Sequence, residues 1–159
     1  MIGLAIGARI VSIPCVKRFF LGVFAADEVK LALVNAEVKS FCVVNTSGST
    51  QEGAHWYVLF KSGDFSYETF DSLGQSEETA RQRVGNAAHH CVYNTTPVQG
   101  NESKLCGEFA AYFCITRVLN YEETFEEIFR ECFTLDLKFN DTIVERFWHC
   151  DELYDTDLL

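Results

Sequence analysis

Leu105-Cys106-Gly107-Glu108-Phe109-Ala110-Ala111-Tyr112-Phe113-Cys114-Ile115-Thr116-Arg117-Val118-Leu119 is the stretch on which the fold turns. Cys106, Phe109, Ala110, Phe113 and Arg117 fall at helical spacing and most are apolar, which predicts a helix packed into the core. The polar segment before it, Pro97 to Ser103, reads as a loop, so Cys106 is expected in the first helical turn. Two amphipathic stretches follow. Glu122 to Phe133 places Phe125, Ile128, Phe129 and Cys132 on one face. A third, capped by Asn140 or Asp141, has Ile143, Val144, Phe147 and Trp148 as its core side.

Upstream, the pattern changes to strands. Ser40 to Asn45 is a short apolar run with β-branched residues, and Ser47 to Gly53 is a loop by composition. Ala54 to Phe60 reads as a second strand, Lys61 to Asp64 as a turn, and Phe65 to Asp71 as the alternating strand that closes a hairpin. Ser76 is a helix cap with Glu77 and Glu78 in the first turn, and the helix is expected to run to about Ala88. Thr79 stands where a full capping box requires Glu or Gln. Cys91 to Thr95 is a further short strand. Strands gather in the first half and helices in the second, the ordering of an α+β domain.

A chain of 159 residues suits one domain with a real core. Fourteen Phe and two Pro argue against disorder, because aromatic burial offsets the entropy of ordering the chain. The net charge of −10 and the lack of a basic run argue against DNA as a partner. The acidic end, residues 151–159, reads as a solvated tail. Seven cysteines form no C-x-x-C pair, so no metal site is expected and the compartment reads as reducing and intracellular. Residues 1–16 are mostly apolar but interrupted by Arg9 and too short to span a bilayer. They read as a buried strand or turn, with no membrane partner.

Four residues invite chemistry. A thiol attacks only as its thiolate, which an imidazolium or a helix N-terminus stabilises, and Cys106 is placed for the second of these. Gly107 leaves room for backbone to approach a substrate. His55, in Gly53-Ala54-His55-Trp56, sits where a loop becomes a strand. Asp71 ends the returning strand of the hairpin, so the two can meet, and a carboxylate there would hold the imidazole in one tautomer. Gln99 offers an amide donor of the kind an oxyanion requires. Taken singly, each has a plainer reading: a buried thiol, a structural imidazole, a turn aspartate, a loop glutamine. Cys42, Cys114 and Cys132 read as buried apolar residues.

The run Val98-Gln99-Gly100-Asn101-Glu102-Ser103-Lys104-Leu105-Cys106-Gly107-Glu108-Phe109 resembles the V-Q-G-x-x-S-x-x-C-G-x-F motif of the adenovirus-type cysteine endopeptidases. Gly53-Ala54-His55-Trp56 is similar to the G-x-H-W motif of that family, and Phe70-Asp71-Ser72-Leu73-Gly74 to its acidic motif ending in glycine. Phe20-Leu21-Gly22-Val23-Phe24-Ala25-Ala26-Asp27-Glu28 is similar to the opening segment, and closest to proteases of Polinton/Maverick-type elements and their viral relatives. The resemblance runs from about residue 19 to 118, with an echo to about Trp148.

It implies an adenain-like fold with a small mixed sheet packed by helices, in one peptidase domain whose core spans about residues 19–150. It also implies roles: Cys106 as nucleophile, His55 as its base, Asp71 as orienter, Gln99 as oxyanion donor, and Gly53, Trp56 and Gly107 at the substrate. The substrate would be a precursor protein cut at Gly-containing sites during viral or transposon capsid maturation, in the nucleus or virion. No small-molecule cofactor is implied. An activating peptide is, with Cys91 roughly where the family's peptide-linked cysteine lies. Two alternatives keep the same residues: a protease of SUMO or other ubiquitin-like tails, and an inactive binding protein on the protease fold.

Overall fold

The computed structural model describes residues 2–29, 33–48, 55–86 and 88–150. Two helices come first, α1 (Ile2–Val11) and α2 (Pro14–Lys17). Strands β1 (Phe20–Ala25), β2 (Phe41–Asn45), β3 (Trp56–Gly63) and β4 (Ser66–Phe70) follow. Then come α3 (Glu77–Val84), β5 (His90–Tyr93), α4 (Cys106–Leu119), α5 (Phe125–Cys132) and α6 (Leu137–His149). The five strands lie in sequence order in one mixed sheet. β1 and β5 run parallel to their neighbours, and β2, β3 and β4 form an antiparallel meander. The α+β class is therefore the observed one, with Cys106 opening the central helix.

Alternation along the strands separates two apolar faces. Phe41, Val43, Val58, Phe60 and Phe70 turn to the face covered by α4 and its helical neighbours. Cys42, Val44, Tyr57, Leu59 and Tyr67 turn to a smaller cluster with Val29, Leu33 and Val84. Aromatic rings tie the sheet to the helices. Phe70 stacks on Phe113 of α4 at 4.2 Å between centroids and on Phe133 at 5.5 Å. Phe113 in turn meets Phe125 of α5 at 5.3 Å. Because Phe70 precedes Asp71 and Phe113 stands two turns beyond Cys106, this stack sets the distance between the carboxylate and the thiol.

Residues 1–16 differ from the expectation of a strand or turn. Ile6, Ile10, Ile13 and Val16 recur at helical spacing and are all buried against the main core, so helical packing decides their conformation. The main core thus begins before residue 19. Arg9, which interrupts that apolar run, is itself buried and donates to the carbonyls of Phe147 and Cys150 at 2.7 and 2.6 Å, closing the C-terminal end of α6. Among the described residues no helix is long and apolar enough to cross a membrane.

Other boundaries also moved. β3 runs on to Gly63, so the hairpin turns at Asp64 and Phe65. Ser76 caps α3 as expected, its hydroxyl accepting from Thr79 N at 3.2 Å, but the helix stops at Val84, because Gly85 takes φ +74°. In α6 the cap is Asp136, whose carboxylate accepts from Phe139 N at 3.0 Å. Asn140 is instead fully buried one turn further in. The acidic tail and Gly53 lie outside the described residues.

Candidate active site

The hairpin register that pairs Val58 with Phe70 returns the residue before β3 to the residue after β4. His55 and Asp71 meet there, with Nε2 to Oδ1 at 2.7 Å. The backbone of His55 is held in turn by Thr46, whose N–H donates to its carbonyl at 2.9 Å. Asp71 is 3% exposed and fully engaged. Oδ1 also accepts from Leu73 N at 2.9 Å, and Oδ2 accepts from Arg83 Nη1 at 2.8 Å. Asn94 brackets its backbone, accepting from Asp71 N at 3.0 Å and donating to Asp71 O at 2.7 Å.

The Cys106 thiol lies close enough to the His55 imidazole to act on its pKa. With Nε2 committed to Asp71, the nitrogen left for the thiol is Nδ1. Burial lowers the His55 pKa, but hydrogen bonds to Asp71 and Cys106 and the charges they carry outweigh it, raising it from 6.5 to about 9. For Asp71, burial alone would raise the pKa. The hydrogen bond and charge of His55, with further bonds from Arg83 and Leu73 N–H, bring it below the usual carboxylate range. Each group therefore favours the charged form of the other.

Helix α4 begins at Cys106 with no capping side chain on Leu105, whereas Ser76, Thr124 and Asp136 cap α3, α5 and α6. No N-cap side chain takes the first-turn N–H groups of α4, and the positive end of the helix dipole stands beside the thiol. Such an end can hold a thiolate or an oxyanion.

Gln99 lies in the preceding loop, 2% exposed. Its Nε2 donates to Ser103 O at 2.7 Å and its Oε1 accepts from Ser72 Oγ at 2.6 Å. A carbonyl accepts only, so the contact with Ser103 fixes which end of the amide is the nitrogen. One of the two Nε2 protons is left over. Ser72 O also accepts from the N–H groups of Val98 and Gln99 at 2.8 and 3.0 Å. The Asp71-Ser72 step thus holds the imidazole on one side and the amide on the other.

Two glycines permit this assembly. Gly74 has φ +75°, and a Cβ there would run into the Thr95 carbonyl, so the turn after Asp71 admits only glycine. At Gly100 a Cβ would stand 2.7 Å from Asp141 Oδ2, and the Gly100 N–H donates to Asp141 Oδ1 at 3.2 Å. Asn140 donates to Val98 O at 3.0 Å. Helix α6 therefore clamps both neighbours of Gln99, which explains why Asn140 faces inward.

The structure brings His55, hydrogen-bonded to Asp71, beside Cys106, with Gln99 tied to Asp71 through Ser72. Gly107 is buried beside Cys106, and Trp56, beside His55, lies against Gly3 of α1. Cys91 is elsewhere: it pairs with Tyr67 on β4, four positions before Asp71, half-buried, with burial pushing its thiol pKa up. Sequence reasoning passed over Arg83 and Asn94, quoted Ser72 only inside a motif, and read Asn140 or Asp141 as a helix cap. Arg83 and Asn94 are polar residues whose only distinguishing feature is the tertiary partner.

No protein-family model and no curated protein sequence matches the chain. The chain is similar to a solved structure, the crystal structure of a selenomethionine-labelled ASFV protease, at 24% sequence identity and a TM-score of 0.39. The similarity covers 64% of this chain and 42% of that one, so it spans less than half the length of that protease.

Proposed function

We propose that the protein is a cysteine endopeptidase with Cys106 as nucleophile, His55 as general base and acid, Asp71 as the orienting carboxylate and Gln99 as oxyanion donor. The observation that carries this reading is the Asp71–His55 hydrogen bond standing beside Cys106 at the uncapped start of α4. Transfer of the thiol proton to His55 gives a thiolate and imidazolium pair. The thiolate attacks the peptide carbonyl, and the carbonyl oxygen becomes an oxyanion. The Cys106 N–H and the unspent Nε2 proton of Gln99 are the donors proposed for it. His55 returns its proton to the leaving amine, a thioester remains on Cys106, and water activated by His55 hydrolyses it.

The resemblance of the four motifs to adenovirus-type endopeptidases supports a finer reading. The substrate is a precursor protein cut at Gly-containing sites, in capsid maturation of a virus or a related mobile element, within a nucleus or virion. Cys91 is then the position for an activating peptide. The test is cleavage of Gly-containing fluorogenic peptides and of ubiquitin-like fusions, with mass spectrometry of iodoacetamide-labelled cysteines. Cleavage by the wild type that is abolished in Cys106→Ala, with Cys106 alkylated faster than exposed Cys15, is the expected result. Cleavage retained in Cys106→Ala would sink the assignment. Cleavage of ubiquitin-like fusions alone would move the substrate to that class.

A further inference from the structure

Arg83 is a second cation on the carboxylate that faces His55, and its own surroundings hold it in place. Its Nη1 donates to Asp71 Oδ2 at 2.8 Å and to Gln75 Oε1 at 3.0 Å. Its guanidinium carbon lies 3.9 Å from the centroid of the Tyr57 ring. Gln75 is anchored in turn, donating to Thr69 O at 2.9 Å. Arg81, two residues earlier on α3, differs in each respect: it reaches Glu77 at 2.8 Å with both side chains about 60% exposed.

We propose that Arg83 is a positioning residue for the His55–Asp71 pair: by taking Oδ2 of Asp71 it holds Oδ1 on the imidazole. The proposal rests on the peptidase reading of this site. A carboxylate with one free oxygen can rotate and offer either oxygen to the imidazole. With Oδ2 held by Nη1 of a guanidinium that never loses its charge, and that guanidinium fixed by Gln75 and the Tyr57 ring, only one orientation remains. The same charge opposes protonation of His55, because both cations face one carboxylate. A general acid that must release its proton to a leaving amine works best when it is not bound too firmly to that proton. The charged or titratable groups facing this cluster are Cys106 from α4, Asp71 after β4, Arg83 from α3, and Tyr57 and Cys42 from β3 and β2.

The experiment is an NMR titration of the His55 ring on the full chain, together with kcat and KM on a Gly-containing fluorogenic peptide. Wild type, Arg83→Lys and Arg83→Met are compared at equal folded fraction. In Arg83→Met the His55 midpoint should rise by about one unit, as expected for losing a nearby like charge. kcat should fall about tenfold or more while KM stays within about twofold. Arg83→Lys should recover most of the midpoint but less of kcat, because an ammonium keeps the charge and loses the planar group that stacks on Tyr57.

An unchanged midpoint and kcat in Arg83→Met would overturn the proposal. So would a rise in KM alone, which would make Arg83 a substrate contact on the adjoining cleft lined by Thr46, Tyr57 and Gln82. Should Arg83→Met not fold, Arg83→Lys and Gln75→Ala are read by the same criteria. The titration needs no substrate. A wild-type chain whose Cys106 is unreactive would therefore break the peptidase reading and leave the Arg83 shift measurable.

Discussion

Strand β4 and the residue after it carry two buried carboxylates three positions apart, and the protein uses them in opposite ways. Glu68 gives both oxygens to Arg117 of α4, at 2.8 and 2.9 Å, in a closed fork-to-fork pair. Phe60 and Tyr121 cover the guanidinium, with ring centroids at 4.9 and 5.5 Å, and its Nη1 donates to the carbonyls of Asn120 and Tyr121 just beyond α4. Asp71 divides its oxygens among an imidazole, a guanidinium and a backbone N–H. The first arrangement closes one carboxylate on one guanidinium. The second includes a group whose protonation can change, and it faces a thiol. Burial with a matched partner serves structure, and burial beside a titrating partner suits the proton transfer proposed for this site. One helix serves both, with Cys106 at its start and Arg117 in its last turn.

That contrast is broken most directly by Asp71→Asn. It should cost about 10²–10⁴-fold in peptide hydrolysis per folded molecule, since the amide can hold the imidazole in the wrong tautomer. A loss below about tenfold would mean that Asp71 orients nothing.

Glu68→Gln should do the reverse. Activity per folded molecule stays near wild type, while urea unfolding shows a loss of about 3–5 kcal/mol, because Arg117 keeps a buried charge without its counterion. Replacing both, as Glu68→Met with Arg117→Leu, should recover much of that stability. If the double variant is no better than the single one, the pair does more than balance charge.

A smaller effect is expected from Ser72→Ala, which removes the donor that fixes Gln99 Oε1. kcat should fall about tenfold with KM little changed, because only transition-state binding is touched. A change confined to KM would place Ser72 against substrate instead.

The smallest effect is the pH dependence of stability. His55 has a folded-state pKa raised from 6.5 to about 9, so its contribution is complete below about 6.5 and is lost as pH rises through about 9. Asp71 has a lowered pKa, so its contribution is present above about 3.8 and is lost as pH falls through the folded value. Melting temperatures taken from about pH 7 to about pH 10 should therefore decline less steeply in His55→Gln than in wild type. Identical slopes would show that His55 does not bind its proton more tightly in the folded chain.

Much of the fold was legible because local chemistry and tertiary packing agreed. The hairpin alternation of residues 54–71, the Ser76 cap and the apolar spacing from Leu105 to Leu119 each describe what the element needs wherever it packs. The misreadings fell where the same residue type serves two purposes. Asn140 near a helix start looks like a cap, but Val98 O and Thr134 O draw its amide inward, and Asp136 caps instead. The helical spacing of Ile6, Ile10 and Ile13 is masked by the other apolar residues around them, and packing against the main core decides their conformation.

The sequence by itself determined which side chains of a thiol, an imidazole, a carboxylate and an amide were candidates, because their motif spacing and order are local properties of the chain. Tertiary structure alone decided the electrostatics: which cation shares Asp71, which hydroxyl holds Gln99, and why Glu68 is inert beside it. Those assignments depend on contacts between residues 12 to 49 positions apart. A side chain's partner at such separations follows from how the elements pack, and no short stretch of sequence records it.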